Sequence, residues 1–282
     1  MELAPFTAAP YGAVIRGVRG GTGPPALLLH GTAGSWRNFD AWLPALLPRA
    51  SVVIPDLPGC GDSPAPALRP RLRTWARLLH ALMTELAPPP RILVGLGMGA
   101  SLALAYLQVA PPAARAALTH VVLHTPAYCP AAIRPAFCWG VPLLTAGPVF
   151  AVVQRLLRRP DVLDWYVQRF VAGPDVPAAD VRLLSEDLRR ASLPVLAGLA
   201  RDMVRADFRP LLQGCATPLL ALVAENDPFV YPAVVARLAT LMPAARVVVQ
   251  RDVGHGWTPA AIAEQQRLLA EFLAKPPGRP AG

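Results

Sequence analysis

Four stretches of this 282-residue chain carry the residue types that do chemistry. The first is His30-Gly31-Thr32-Ala33-Gly34. The second runs Asp56-Leu57-Pro58-Gly59-Cys60-Gly61-Asp62-Ser63. The third is Gly95-Leu96-Gly97-Met98-Gly99. The fourth is a separated pair, Asp227 and His255, the histidine within Val253-Gly254-His255-Gly256-Trp257. Imidazole and carboxylate groups move protons, and glycine-rich turns let the backbone approach a ligand closely. These landmarks sit at the ends of short apolar runs: ALLLH, SVVIP, RILVG, PLLALV and RVVVQ. Runs of this length between turn residues read as buried strands. Open α/β sheets bind their ligands just beyond the carboxyl ends of such strands.

The elements that must position these residues alternate along the chain. Strands are expected over 11–18, 26–30, 51–55, 91–95, 119–124, 218–223 and 246–250. Helices are expected over 39–47, 72–86, 100–109, 232–241 and 259–273. In 72–86, Leu72, Trp75, Leu79, Leu82 and Leu86 share one face at helical spacing. From 126 to 211 the alternation stops, and helical patterns over 161–171, 178–190 and 193–205 stand alone. This order predicts an α/β fold: a mostly parallel, doubly wound sheet with helices on both faces and one helical insertion. The expected division is a core of 1–125 and 212–275, a helical cap over 126–211, and a disordered tail over 276–282.

Together, the landmarks and their order resemble the α/β-hydrolase family, from about residue 26 to residue 273. The resemblance implies that the turn at Gly95-Leu96-Gly97-Met98-Gly99 is the nucleophile elbow, G-x-S-x-G. Gly95 and Gly99 match the small neighbours that the turn needs. The nucleophile position between them is Gly97. The resemblance further implies that Asp227 is the acid, His255 the base, and the backbone N–H groups of Met98 and Thr32 the oxyanion hole. Both donors are main-chain groups, so the loss of a side chain at 97 need not remove them. Glycine suits an elbow, whose positive φ costs a residue with a Cβ about 1–3 kcal/mol. Deleting the serine of a triad costs about 10⁶-fold in rate, so ordinary serine hydrolysis is not expected.

No other residue is expected to replace that serine. Ser101 reads as a core hydroxyl, Cys60 sits in a loop, and Thr32 and Ser35 belong to the oxyanion loop; none has elbow geometry. His30 is expected to be structural, His124 a core or pocket-wall residue, and Asp56 and Asp62 loop stabilisers. Trp36, Phe137, Trp139 and Trp257 are candidates for a substrate-binding wall, against the plainer alternative of ordinary cap packing. No metal and no cofactor are expected.

Composition narrows the partners. Apolar residues make up 54% and charged residues 16%, which excludes a mostly disordered chain. Four cysteines without paired spacing exclude a disulfide scaffold and fit a reducing, cytoplasmic setting. The net charge of +9 is spread over scattered arginines, with no run of five basic residues, so no nucleic-acid partner is expected. The N-terminus lacks the pattern of a signal peptide. Residues 135–153 carry no charge, but Pro135, Gly140, Pro142, Gly147 and Pro148 would break a lone spanning helix. An apolar lid over a pocket is expected there, with membrane-surface contact as a lesser use. The partner is then a small apolar molecule.

Three functions stay open on the residues alone. The first is an enzyme whose His255–Asp227 base and oxyanion hole work without a nucleophile. The second is a serine ester or C–C hydrolase whose serine was replaced. The third is a non-catalytic ligand-binding protein.

Overall fold

The computed structural model describes residues 2–172, 178–254 and 258–274. Eight strands form one sheet: β1 (Ala4–Ala8), β2 (Ile15–Gly20), β3 (Pro25–Leu29), β4 (Ser51–Pro55), β5 (Ile92–Leu96), β6 (His120–His124), β7 (Leu219–Ala224) and β8 (Ala245–Gln250). Their order across the sheet is β1-β2-β4-β3-β5-β6-β7-β8. Strands β3 to β8 are parallel, and β2 runs antiparallel to both β1 and β4.

The apolar runs form central strands because both of their faces are covered, except RVVVQ, which forms the edge strand β8. Alternate residues enter opposite cores, as the strand period of two requires. Leu27, Leu29, Leu93, Val121, Leu123, Leu219 and Ala221 face the helices Leu72–Glu85 and Met98–Val109. Leu28, Val94, Val122, Leu220 and Leu222 face Phe39, Trp42 and the Pro259–Leu273 helix. Val94 and Val122 pair across β5 and β6, and Leu28 pairs with Val94, so one register carries both cores.

Three local expectations change, one of them the helix expected over 232–241, which divides at Arg237 into Pro232–Ala236 and Leu238–Leu241. The strand expected over 11–18 begins only at Ile15, after a 3₁₀ turn at Pro10–Gly12, and the edge strand β1 precedes it. Pro5 lies within β1 at the sheet edge, where a missing N–H costs no ladder bond. The helix expected over 39–47 divides into a 3₁₀ turn at Trp36–Phe39 and a single turn at Leu43–Leu46. Pro44 lacks an N–H and so starts a helix rather than continuing one.

Between β6 and β7 the regular elements among the described residues are helical. Pro135–Leu144, Gly147–Leu157, Pro160–Tyr166, Ala178–Arg190 and Leu193–Met203 make up this block, with a π-helical stretch at Val167–Ala172. Residues 276–282, expected to be a tail, lie outside the described residues. Among the described residues no single helix is long and apolar enough to cross a membrane.

Candidate active site

The site is built at the carboxyl ends of β3, β5, β6 and β7. Gly97 joins β5 to the Met98–Val109 helix with φ +51° and ψ −108°, a conformation that residues bearing a Cβ rarely adopt. Its N–H donates to His124 O at 2.9 Å, and its carbonyl accepts from Ser101 N–H at 3.2 Å. The turn is tight on both sides. A Cβ on Gly95 would stand 2.5 Å from Gly99 O, and one on Gly99 would stand 2.2 Å from Leu29 O. Among the described residues, a Cβ on Gly97 would meet nothing nearer than the Gly31 Cα, at 4.0 Å. Packing therefore fixes glycine at 95 and 99, whereas only the backbone conformation favours it at 97.

Met98 is the first residue of its helix, where a backbone N–H has no acceptor within the helix and the helix dipole favours negative charge. Thr32 stands beside Gly31, which faces Gly97, and so lies on the rim of the same space. The loop carrying Thr32 is tied to its neighbour by His30. The buried His30 donates from Nδ1 to Gly31 O at 2.8 Å and accepts Leu57 N–H on Nε2 at 2.8 Å. Burial pushes the His30 pKa down, so the ring stays neutral and structural. Asp56 has a similar role: its carboxylate accepts the N–H groups of Trp36 and Asp62, both at 2.8 Å.

Asp227 follows β7 and is fully buried. Its Oδ1 accepts the N–H groups of Phe229 at 2.7 Å and Val230 at 2.9 Å, and Thr125 Oγ1–H donates to Oδ2 at 3.4 Å. Arg134 Nε donates to the Asp227 carbonyl at 3.0 Å. A buried carboxylate that accepts from several donors is fixed in direction. The loops after β7 and β8 are joined: Asn226 N–H donates to Val253 O at 3.0 Å, and Asp252 N–H to Glu225 Oε2 at 3.1 Å. Val253 is thereby held beside Asp227, two residues before His255. His255 and Trp257 themselves lie outside the described residues.

The other candidate nucleophiles are disqualified by their surroundings. Burial and the neighbouring Asp56 and Asp187 push the Cys60 thiol up to about 12, so it holds its proton at neutral pH. Ser101 Oγ is buried within the helix, without a hydrogen-bond partner among the described residues.

The aromatic residues do not converge on one wall. Phe137 packs on Phe229 with ring centroids 4.6 Å apart, above the loop that holds Asp227. Trp139, two positions on, is 80% exposed and projects into solvent. Two residues along a helix turn about 200°, so if Phe137 faces inward Trp139 must face out. Trp36 packs with the opposite core, beneath the Arg37 guanidinium at 5.1 Å.

Thr125, Arg134, Ser35 and Asp187 have roles that local pattern does not disclose. Thr125 holds φ +52° at the end of β6 to reach Asp227. Ser35 Oγ–H donates to Asp187 Oδ2 at 2.7 Å, linking the oxyanion loop to the Ala178–Arg190 helix of the helical block. Ser192 N–H to Gly59 O, at 2.7 Å, and the exposed pair Arg190–Asp62 bridge the same seam.

Burial raises the Asp187 pKa, against the opposing pull of Ser35 and Arg37. The folded chain therefore holds this proton more tightly than the unfolded chain does. The associated stability is full below the ordinary carboxylate pKa and is lost as pH rises through the raised one. Asp187→Asn should flatten that decline, so that its melting temperature exceeds the parent's at pH 8 but not at pH 4. Ser35→Ala should cost about 1–3 kcal/mol, because it leaves a buried carboxyl unpaired. Thermal melts across pH read both.

The comparisons with known proteins agree with this fold. The model of the Alpha/beta hydrolase family matches residues 26–271. A pimeloyl-(acyl-carrier protein) methyl ester esterase of Aeromonas hydrophila subsp. hydrophila is 25% identical over 244 residues, covering 84% of this chain and 90% of that one. A soluble epoxide hydrolase of Corynebacterium sp. (strain C12) is 36% identical over 86 residues, a match spanning only 30% of either chain. In three dimensions, bromoperoxidase from Bacillus anthracis superposes with a TM-score of 0.81 over 96% of this chain and all of that one, at 21% identity.

Proposed function

The chain belongs to the alpha/beta hydrolase family, and from that premise we propose that it transforms a small apolar or amphipathic carbonyl compound by proton transfer, without a covalent intermediate. The observation that carries this reading is Gly97. It has the backbone of an elbow, with no side chain and with room for one. The partners that an elbow needs are retained in the sequence: His255 as base, Asp227 to orient it, and the Met98 and Thr32 amides as oxyanion donors.

In this mechanism His255 removes a proton from the carbon next to the carbonyl. The C–H electron pair becomes a new C=C bond, the C=O π pair moves to the oxygen, and the resulting enolate oxygen is held by the two amides. As the C=O bond re-forms, His255 returns the proton to the far carbon of a conjugated dienolate, or to a group leaving from the β carbon. Asp227 stabilises the imidazolium that forms between the two steps. The ligand class follows from the site and from the relative named for a methyl ester. No cofactor enters the scheme, and residues 126–211 act as the cap. Four free cysteines fit a cytoplasmic protein.

The room above Gly97 favours one second reading: a serine hydrolase that has lost its serine. Intact-protein mass spectrometry after exposure to a fluorophosphonate and to activated acyl esters tests the main reading. The mass should stay unmodified. A stoichiometric adduct would reveal a working nucleophile and overturn the proposal.

A further inference from the structure

The helices Pro135–Leu144 and Gly147–Leu157 bury no side chain fully, resting on the core only through half-buried residues such as Phe137, Val141 and Leu157, and their axes bend by 96° at the break between them. At 10 and 11 residues each is about half the length needed to cross a bilayer, and the bend prevents the pair from acting as one span. Yet both present apolar faces outward. Trp139 and Leu143 lie one turn apart on the first helix, and Val152 and Leu156 one turn apart on the second; their exposures run from 46% to 80%. Contiguous apolar surface of this kind marks an interaction site.

The charge around the face identifies the partner. No aspartate or glutamate occurs between Glu85 and Asp161. At the end of the second helix, Arg155 and Arg158 are exposed and form no ion pair among the described residues. Arg159 is paired with Asp161. The face is thus apolar and tryptophan-bearing, with Arg155 and Arg158 at its end, while the nearby acids Asp161 and Asp164 lie against Arg159 and Arg189; this is the pattern that seats a helix at a bilayer interface. We propose that it docks on an anionic lipid surface. The apolar side chains enter the headgroup–acyl boundary, and Arg155 and Arg158 meet lipid phosphates. A second copy of the chain fits less well, because a two-fold contact through this patch would oppose arginine to arginine with no acid between them. The inference holds whatever reaction the site performs.

Vesicle flotation tests it, comparing phosphatidylglycerol–phosphatidylcholine vesicles with phosphatidylcholine alone, with light scattering to read self-association. The parent chain should float with the anionic vesicles and weakly or not at all with the neutral ones. Leu143→Ser/Leu156→Ser and Arg155→Glu/Arg158→Glu should each weaken binding about tenfold, with unchanged melting temperatures, since all four positions are exposed. Arg73→Glu, on the exposed face of the Leu72–Glu85 helix, should leave binding near the parent level. Absence of binding to anionic vesicles would overturn the proposal. So would equal weakening by Arg73→Glu, which would signal general attraction to a +9 chain. A dimer that is abolished by Leu143→Ser/Leu156→Ser without any vesicle binding would assign the face to self-association instead.

Discussion

Gly97→Ser should gain hydrolysis of short acyl esters by about 10³-fold or more over the parent chain. The expectation rests on two opposed magnitudes. A serine with φ near +51° carries about 1–3 kcal/mol of backbone strain, which lowers stability. Restoring a triad serine can return up to about 10⁶-fold in rate, roughly 8 kcal/mol of transition-state stabilisation. The strain is borne by the folded state as a whole, whereas the gain falls on the reaction, so a lower melting temperature and a large rise in rate should appear together. The described residues leave room for the substitution, since the new Cβ would lie 4.0 Å from its nearest neighbour among them. The same change at Gly95 or Gly99 would drive a Cβ against backbone atoms and should destroy the turn. A folded Gly97→Ser variant that hydrolyses no ester across short and long acyl chains would show that acid, base and oxyanion donors do not assemble around position 97.

Asp227→Asn should lower base-dependent turnover about 10⁴-fold, the scale seen when the orienting carboxylate of a triad becomes an amide. The physical cause is local. Oδ1 accepts two backbone N–H groups and fixes the side chain in place. An asparagine keeping those bonds must present its NH₂ group where the carboxylate presents Oδ2. It can then neither accept from an imidazole N–H nor stabilise an imidazolium charge. Because the two backbone bonds survive, the variant should fold, and near-UV circular dichroism should match the parent. Thr125→Val removes the hydroxyl that reaches Oδ2 and should give a smaller loss in the same direction. Unchanged turnover in Asp227→Asn would remove Asp227 from the mechanism.

The residues of this site were legible in the chain to unequal degrees. Strands β3 to β8 announce themselves because each is apolar on both faces and ends in a turn motif. The edge strand β1 does not, since APFTA is short, mixed and contains proline. Gly97 is legible because Gly95 and Gly99 flank it within one five-residue motif, although only Gly95 is required by a contact nearby in sequence, whereas Gly99 is required by Leu29 and His30, about 70 residues away. The support of Asp227 is not. Thr125 and Arg134 reach it across 102 and 93 residues, and Ser35 meets Asp187 across 152. No local period encodes such pairings; they exist only once the sheet brings its strand ends together. Trp139 illustrates the converse. Composition marks it as an aromatic suited to a pocket, but its direction depends on which face of the helix packs, and Phe137 takes the inner one.

The central claim is that His255 is a working base in a site without a nucleophile. Deuterium uptake at the carbon next to the carbonyl reports that directly. A panel of small apolar ketones and thioesters in D₂O can be followed by NMR with the parent chain and with His255→Ala. Uptake by the parent should rise with pH and be lost in His255→Ala. Equal uptake by the two proteins, or none by either across the panel, would contradict it.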